Sequence, residues 1–528
     1  MRAGIRIITR MKNFFRSAAF LAAAGLIAKV IGALYKIPLV TVLGAEGMGI
    51  YQLVFPAYTT LLALSSGGIP QAVSRSTARA LAVGNTRESR RILTVSVLSL
   101  AAAGLAGSLI MALGGAFFAR LQGNPLAAAA YVALAPSVLF VSLLAALRGW
   151  WQGRNNMFPT AASQLVEQVV KLGAGLFFAA ALMPYGVECG VAGAAIGITA
   201  SEALALLALA VGLLARRRNE TPEGAAPPVR AVLADVYGSA LPISFGSLVL
   251  PLLQLIDSVM IVNILVAGGM PVAEATSLYG AAGAPVSAIV NLPAVVTSAV
   301  AAALMPRFSA ALKRGERADR YVAEGMKYAH VVGLGGSAAL CLFARPLVTL
   351  LYSSGLTPAL TEVAASVLRV SSVSVLYVCY MQIATTYLQA AGRAYVPAVN
   401  LLIGGALKAV LTALLLPLAG MTGSAAASVA AYAVTFALDA AAARDGLRGI
   451  PARPFAVCAL SAAAACLAGG AVLMLPLPPV AATLTALAAF GTVYLAALAA
   501  AGVLHPRELL SRSVKINAAA GVKKFKKY

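Results

Sequence analysis

Long apolar stretches separated by short polar breaks run along almost the whole chain. The stretches lack the strict alternation of barrel strands, so they predict helices. A helix that spans a bilayer needs about 20 mostly apolar residues. Fourteen stretches qualify, at residues 17–42, 50–73, 92–118, 127–147, 160–183, 191–214, 240–266, 276–304, 328–351, 360–388, 397–418, 423–443, 455–477 and 480–503.

Composition supports an all-α integral membrane protein. Of the 528 residues, 61% are hydrophobic and 11% are charged, whereas a soluble domain has about 25% charged residues. So few charges cannot cover the surface of a chain of this length, which excludes a soluble multidomain enzyme. The five cysteines are scattered, so neither a disulfide framework nor a metal site is expected.

The positive charges predict the orientation in the membrane. With fourteen spans, 33 of the 40 lysines and arginines fall on one side, two fall on the other and five lie inside spans. The positive-inside rule then places both termini in the cytoplasm. The net charge of +23 is therefore mainly topological, and the basic tail is expected to attract anionic lipid headgroups rather than nucleic acid.

Short motifs recur between the two parts of the chain. The matches are Ala80-Leu81-x-x-Gly84 with Ala311-Leu312-x-x-Gly315, and Gly153-Arg154, Pro159 and Lys171 with Gly392-Arg393, Pro397 and Lys408. Two parallel six-helix lobes around a central cavity follow, which is typical of alternating-access transporters. The predicted domains are an N-terminal lobe (1–215), a linker (216–239), a C-terminal lobe (240–444), an extra helix pair (445–504) and a basic tail (505–528).

Five positively charged residues lie inside the predicted spans. A charge at the bilayer centre costs about 2.5–3.5 kcal/mol on insertion, so each is expected to have an ion-pair partner or a functional role. Lys29 and Lys36 are two helical turns apart on one face, which suits an anionic ligand. Alternatively, Lys36 reaches the outer interface and Lys29 pairs with an acid elsewhere. Arg369 lies among serines that are expected to face the cavity.

The remaining buried charges predict pairs. Glu167 and Lys171 have the i, i+4 spacing of a structural ion pair. Lys408 has no acid at that spacing, so it is available to substrate or to an acid of the other lobe. Asp257 shares a polar stripe with Gln254 and Asn263. It is expected either to neutralise Lys29 or Lys36 across the lobes or to bind a coupling cation.

Residues 20–90 closely resemble a known family, and the resemblance recurs around residues 148–171. The motifs are Gly25-Leu26-Ile27-x-Lys29-x-x-Gly32-x-x-x-Lys36-Ile37-Pro38-Leu39, Leu43-Gly44-x-Glu46-Gly47-x-Gly49-x-Tyr51-Gln52 and Gly68-Ile69-Pro70-x-Ala72-Val73-Ser74. They resemble the stage V sporulation protein B group of polysaccharide transporters, which belongs with MurJ-type lipid II flippases and, more distantly, with MATE exporters of the MOP superfamily. One departure is Arg79, near a position where the family often has an acid.

The resemblance implies a two-lobed flippase for an undecaprenyl-pyrophosphate-linked oligosaccharide, such as a peptidoglycan precursor. It implies a cationic cavity, with Lys29, Lys36, Arg369 and Lys408 as candidate headgroup ligands, and a lipid-tail groove on the last two helices. The partners would be membrane lipids and the lipid-linked glycan. No Walker motif is present, so no cofactor is expected, and a coupling cation or the membrane potential would drive transport.

Two other functions are consistent with a polytopic chain. A cation-coupled MATE-type exporter of small molecules is expected to have acidic and aromatic residues in its cavity, whereas the charged residues inside the predicted spans are mostly positive. A membrane enzyme such as a glycan polymerase usually carries its catalytic groups in a large external loop. No predicted external break exceeds about a dozen residues, so a transporter rather than an enzyme is expected.

Overall fold

The computed structural model describes residues 2–217, 223–447 and 453–503, and these ranges contain helices and no strand. The helices are α1 (Arg2–Ser66), α2 (Ile69–Ala82), α3 (Thr86–Leu121), α4 (Ala128–Gly153), α5 (Phe158–Leu182), α6 (Val187–Arg217), α7 (Val229–Ala267), α8 (Val272–Lys313), α9 (Asp319–Leu342), α10 (Ala344–Tyr352), α11 (Pro358–Ser371), α12 (Ser374–Ala390), α13 (Tyr395–Ala442), α14 (Arg444–Leu447), α15 (Arg453–Leu473) and α16 (Pro479–Ala500). The predicted basic tail 505–528 and part of the predicted linker, residues 218–222, lie outside these ranges.

The all-α membrane fold predicted from the sequence is confirmed. Within the described ranges, ten helices are long and apolar enough to cross a membrane, or up to twelve if two bent pairs each count as one span. The number of fourteen crossings stays a prediction, because length and composition do not by themselves locate a bilayer. We call α1–α6 the first half of the molecule and α7–α13 the second half.

The long helix α1 folds back on itself at Gly44. Gly44 has φ +65°, a conformation that glycine adopts without steric cost. The Lys171 ammonium lies 5.5 Å from the ring centroids of both Tyr35 and Phe55, which stand on opposite sides of Gly44. In a straight helix these two rings would be roughly 30 Å apart. α1 therefore consists of two antiparallel arms, with the turn close to the predicted break between the first two spans.

The second half repeats this fold-back and adds two bends. In α13, Gly420 has φ +58°, and the Asn400 amide donates a hydrogen bond of 2.8 Å to Asp439 on the other arm. The helices α9 and α10 meet at an angle of 73°, and α11 and α12 meet at 43°. The predicted spans 328–351 and 360–388 are therefore bent rather than straight.

The first of the two repeated motifs has the same backbone structure in both copies. Gly84 and Gly315 have positive φ values of 76° and 67°. In each copy the amide of the following residue donates to the carbonyl five positions earlier, at 3.0 Å for Asn85 to Ala80 and 3.0 Å for Glu316 to Ala311. This is the Schellman pattern that ends a helix, so the sequence repeat reflects a repeated helix stop.

The second repeated motif is shifted from the predicted alignment. Gly392 has φ +77°, and its structural counterpart is Asn155 with φ +57° rather than Gly153. Each ends its helix by the same hydrogen bonds, which involve the amides of Asn156 and Arg393. An offset of 237 residues follows, and the same offset relates Lys171 to Lys408. The domain boundaries themselves stay predictions.

The helix pair α15–α16 packs on α9 and α10. Its buried residues form a cluster of their own with Val331 and Phe343, separate from the main core, and the Tyr494 hydroxyl donates to the Val331 carbonyl at 2.8 Å. Leucines such as Leu460 and Leu467 are more than 70% exposed on the outer side. A surface of this kind suits contact with lipid.

We call the end of the molecule that carries α2 and residues 223–228 the linker end, and the opposite end, which carries Gly44, the far end. At the linker end, α2 packs with α3, α4, α6 and the first turns of α7 in a second apolar cluster. The main core lies between the halves and extends to the far end. The two halves therefore touch at both ends, with the space between these contacts available for a site.

Candidate functional site: a cationic cavity between the halves

A cavity of about 530 Å³ lies between the two halves. Its wall is formed by α1 and α5 of the first half and by α7, α8, α11, α12 and α13 of the second half. The charged lining residues are three lysines and one aspartate, namely Lys36, Lys171, Lys408 and Asp257. The cavity is therefore positively charged, as the buried lysines in the sequence led us to expect.

Lys36 reaches across the cavity from the first half. Its ammonium donates a hydrogen bond of 3.1 Å to the Ser287 hydroxyl of α8. Among the described residues no carboxylate lies within ion-pairing distance of Lys36. The alternative that Lys36 reaches the outer membrane interface is wrong, because its side chain lines the cavity.

Lys171 is placed against aromatic rings, and the carboxylates of Glu202 and Glu167 act on it electrostatically without forming an ion pair. Its distances of 5.5 Å to the rings of Tyr35 and Phe55 are those of cation–π contacts. The predicted pair with Glu167 is wrong, because Glu167 binds the guanidinium of Arg148 on α4 at 2.8 Å. Arg148 also donates to Ser163 at 3.0 Å, so its side chain is held against α5. Lys171 lines the cavity instead of pairing with Glu167.

Lys408 and Asp257 form an ion pair within the second half. The helices α13 and α7 that carry them are neighbours, and both side chains are mostly buried. Asp257 therefore neutralises Lys408, not Lys29 or Lys36 across the halves as one alternative had it. Gln254 lies one turn before Asp257 and also lines the cavity.

Besides Glu167, three of the predicted site residues lie outside the cavity lining. The side chains of Lys29 and Arg369 are exposed, and near Arg369 the lining is formed instead by Ser371 and Ser374. Asn263 lies at the far end, where its amide donates to the Leu121 carbonyl at 2.8 Å. Of the polar stripe predicted on α7, Gln254 and Asp257 therefore line the cavity, whereas Asn263 lies outside it at the far end.

Neutral hydrogen bonds and close backbone contacts join the halves at the far end. Gln122 donates to Ser258 at 2.8 Å, and Asn124 donates to Thr276 at 2.9 Å. A Cβ atom on Gly49 would lie 2.0 Å from the Thr276 carbonyl oxygen, so the backbones of α1 and α8 are in contact. The cavity is closed tightly at this end.

Several neutral lining residues were not predicted from the sequence. Gln52 of α1 packs against Gly283 of α8, where a Cβ atom would meet the Gln52 amide nitrogen at 1.9 Å. Gln52 belongs to one of the motifs that carry the family resemblance, which was a usable signal. Tyr279 and Tyr432 also line the cavity, but they stand in apolar runs without a signal of this kind. Within the described ranges, no three His, Cys, Asp or Glu residues cluster as metal ligands.

The profile of the polysaccharide biosynthesis protein family matches residues 14–312, which is more than half of the chain. The chain belongs to this family. Stage V sporulation protein B of Bacillus subtilis (strain 168) is 26% identical over 443 residues, covering 81% of this chain and 83% of that protein. Lipid II flippase MurJ of the same organism is 24% identical over 431 residues, covering 77% and 78%.

Solved structures share the fold of this family member. Lipid II flippase MurJ in an inward closed conformation has a TM-score of 0.66 at 13% identity, over 95% of this chain and 99% of that one. An inward-facing multidrug resistance MATE family transporter of the MOP superfamily has a TM-score of 0.63 at 18% identity, over 80% and 95%. The resemblance seen in residues 25–74 is confirmed, and the protein is a multi-pass protein of the bacterial cytoplasmic membrane with a MurJ/MATE fold.

Proposed function

We propose that the protein moves an undecaprenyl-pyrophosphate-linked oligosaccharide, a peptidoglycan precursor, across the cytoplasmic membrane by alternating access. The observation that carries this proposal is the excess of lysines in the cavity between the halves. A charge that is buried in a membrane protein commonly marks a ligand pathway. Here the sign of the charge favours an anion.

The number of uncompensated charges fits a pyrophosphate. Of the three cavity lysines, Lys408 is neutralised by Asp257, whereas Lys36 and Lys171 have no carboxylate partner at ion-pairing distance among the described residues. A lipid-linked pyrophosphate carries one negative charge on each of its two phosphates, and lysine is a common phosphate ligand. One headgroup would thus match the two lysines of the lining that form no ion pair.

The proposed headgroup ligands are therefore Lys36 and Lys171, with Lys408 held beside them by Asp257. Lys29 and Arg369 were candidates on sequence grounds, and their exposed positions outside the lining make them less suitable. Gln254 and Asp257 stay candidates for a polar or coupling role, with a cation or the membrane potential as the driving force. The only carboxylate in the described lining is engaged by Lys408, so the cavity does not favour an exporter of organic cations.

The experiment is to deplete the endogenous lipid II flippase of a bacterium and to express this chain. We expect rescue of growth by the wild type and loss of rescue by Lys36→Gln and Lys171→Gln. A charge-assisted contact contributes about 1.5–3 kcal/mol, so the flipping rate in vesicles should fall about ten- to a hundredfold. Lys29→Gln, which removes a lysine from the same arm of α1 outside the lining, is the matched control.

Two outcomes would contradict the proposal. If both variants are made at normal levels and still restore growth, the headgroup does not depend on these lysines. If the chain confers drug resistance and never restores growth, the protein is a MATE-type exporter. A loss of rescue by Lys29→Gln alone would return the headgroup site to the exposed part of α1.

A further inference from the structure

Arg79, which departs from the family pattern, pairs with an acidic residue in the other half of the molecule. Arg79 of α2 forms an ion pair of 2.7 Å with Asp235 of α7, 156 residues further along the chain. The buried hydroxyl of Ser76 donates to the same carboxylate, and Arg75 donates to Ser239 one turn later on α7. Three polar residues within about one turn of α2 thus contact one face of α7.

α2 itself is fixed to the first half. A Cβ atom on Gly149 of α4 would lie 2.7 Å from the Pro70 carbonyl oxygen, and one on Gly153 would lie 2.5 Å from the Ser74 carbonyl oxygen. The backbones of α2 and α4 are therefore in direct contact along two turns. An interface packed this closely has little room to shift, so α2 is expected to move with the first half.

The helix on the other side of the contact leads directly into the cavity wall. The first turns of α7 bury Val232, Val236 and Ala240 in the apolar cluster at the linker end. The same helix, which contains Pro242 and Pro251, continues to Gln254 and Asp257 in the lining. A displacement of the first turns of α7 away from α2 would therefore open the cavity at the linker end.

The contact between α2 and α7 is of a kind that can be released. The Arg79 side chain is 60% exposed and the Asp235 side chain is 26% exposed, and an exposed ion pair is weak and screened by salt. Partial burial of Asp235 acts to raise its pKa, but the hydrogen bonds from Ser76 and Arg79 outweigh this and lower the pKa. Asp235 stays ionised at neutral pH, and no proton is needed to hold the contact.

We propose that Asp235, Arg79 and Ser76 form a releasable clasp that closes the linker end of the cavity, and that transport requires the clasp to open. The far end is closed by neutral hydrogen bonds and backbone contacts. The linker end also has a close backbone contact, since a Cβ atom on Gly68 would lie 2.6 Å from the Ala240 carbonyl oxygen, and it adds an ion pair between the halves. This inference concerns how the cavity opens and does not depend on which ligand enters it.

The test measures how fast a thiol reagent reaches the cavity. The five native cysteines are replaced, the lining residue Ser428 is changed to cysteine, and the purified protein in lipid nanodiscs is treated with a polar maleimide. We expect Asp235→Asn and Arg79→Gln each to raise the labelling rate about two- to fivefold, the range of an exposed ion pair. The difference should shrink in 1 M salt, where the Debye length is about 3 Å.

Two further variants make the test specific. The exchange Arg79→Asp with Asp235→Arg should return the rate towards that of wild type, because it rebuilds the pair with opposite polarity. Arg87→Gln removes an exposed arginine from the same end without touching the clasp, and should leave the rate unchanged.

Unchanged labelling in Asp235→Asn and Arg79→Gln, at unchanged thermal stability, would overturn the clasp. So would an exchange variant that labels as fast as the single variants. Because the labelling uses no lipid-linked substrate, a negative result leaves the proposed function standing. A flipping assay that fails for the wild type would leave the clasp standing.

Discussion

At the scale of single residues, the far end of the cavity depends on glycine. Gly49 and Gly280 face each other across α1 and α8, and a Cβ atom on Gly280 would lie 2.1 Å from the Ala45 carbonyl oxygen. No larger side chain fits there without separating the two helices, because the obstructing atom belongs to the backbone. The halves can therefore approach this closely only because both positions lack a side chain.

Gly280→Ala is expected to destabilise the protein by about 1–3 kcal/mol, the usual cost of overpacking. Gly173→Ala on α5 is the control, since a Cβ atom there would meet no other atom within 4 Å. Thermal unfolding in detergent should show a lower Tm for the first variant and an unchanged or slightly higher Tm for the second, because alanine favours helix. Equal Tm values would contradict the close contact.

The same scale shows how far the site could be predicted. Lys36, Lys408, Gln254 and Asp257 were identified as cavity residues because a buried charge or polar stripe is visible in the sequence. Which charged residues pair with each other could not be predicted from the sequence. Glu167 and Lys171 have ideal spacing on one helix, but Arg148 approaches Glu167 from α4 at 2.8 Å, a contact that only the packing of helices determines.

At the scale of elements, the ends of the helices follow local rules in both halves. Gly392 ends α12 with φ +77°, and Asn155 ends α4 with φ +57°. A residue with a side chain costs about 1–2 kcal/mol in this conformation. Asparagine bears that cost more easily than most residues, which explains why the first half tolerates Asn155 at this position.

We expect Gly392→Ala to lower the free energy of unfolding by about 1 kcal/mol, while Asn155→Gly leaves it unchanged or raises it slightly. Gly470→Ala is the control, because Gly470 has no neighbouring atom within 4 Å and no positive φ. Chemical unfolding in micelles provides the measurement. A stabilising effect of Gly392→Ala would show that the helix does not end there in the left-handed conformation.

The helices themselves were predictable because their signal is local. Runs of apolar residues of sufficient length mark the long helices, and the turn at Gly44 falls between two predicted spans, whereas the polar helix α2 was not predicted as a separate element. The bends were harder to anticipate, since the chain between α11 and α12 contains serines rather than proline or glycine. A bend of 43° at that place depends on the neighbouring helices, which the sequence does not identify.

At the scale of the whole molecule, the placement of positive charge predicts the topology. We expect Glu316→Cys, in the exposed turn between α8 and α9, to react with an impermeant maleimide only from the cytoplasmic side. Glu274→Cys, in the exposed first turn of α8, should react only from outside. Both cysteines are to be placed in a background without the native ones, and labelling of intact cells against inverted vesicles measures the difference. Reversed labelling would invert the orientation.

The two lysines related by the offset of 237 residues give the molecule an electrical asymmetry. Lys408 forms an ion pair with a carboxylate, whereas Lys171 contacts aromatic rings and only feels the carboxylates of Glu202 and Glu167 electrostatically, without an ion pair to either. The uncompensated charge of the cavity, Lys36 and Lys171, is thus carried by one half. An anion bound there would stay attached to the first half. Movement of the second half relative to the first would then expose the anion first to one side of the membrane and then to the other.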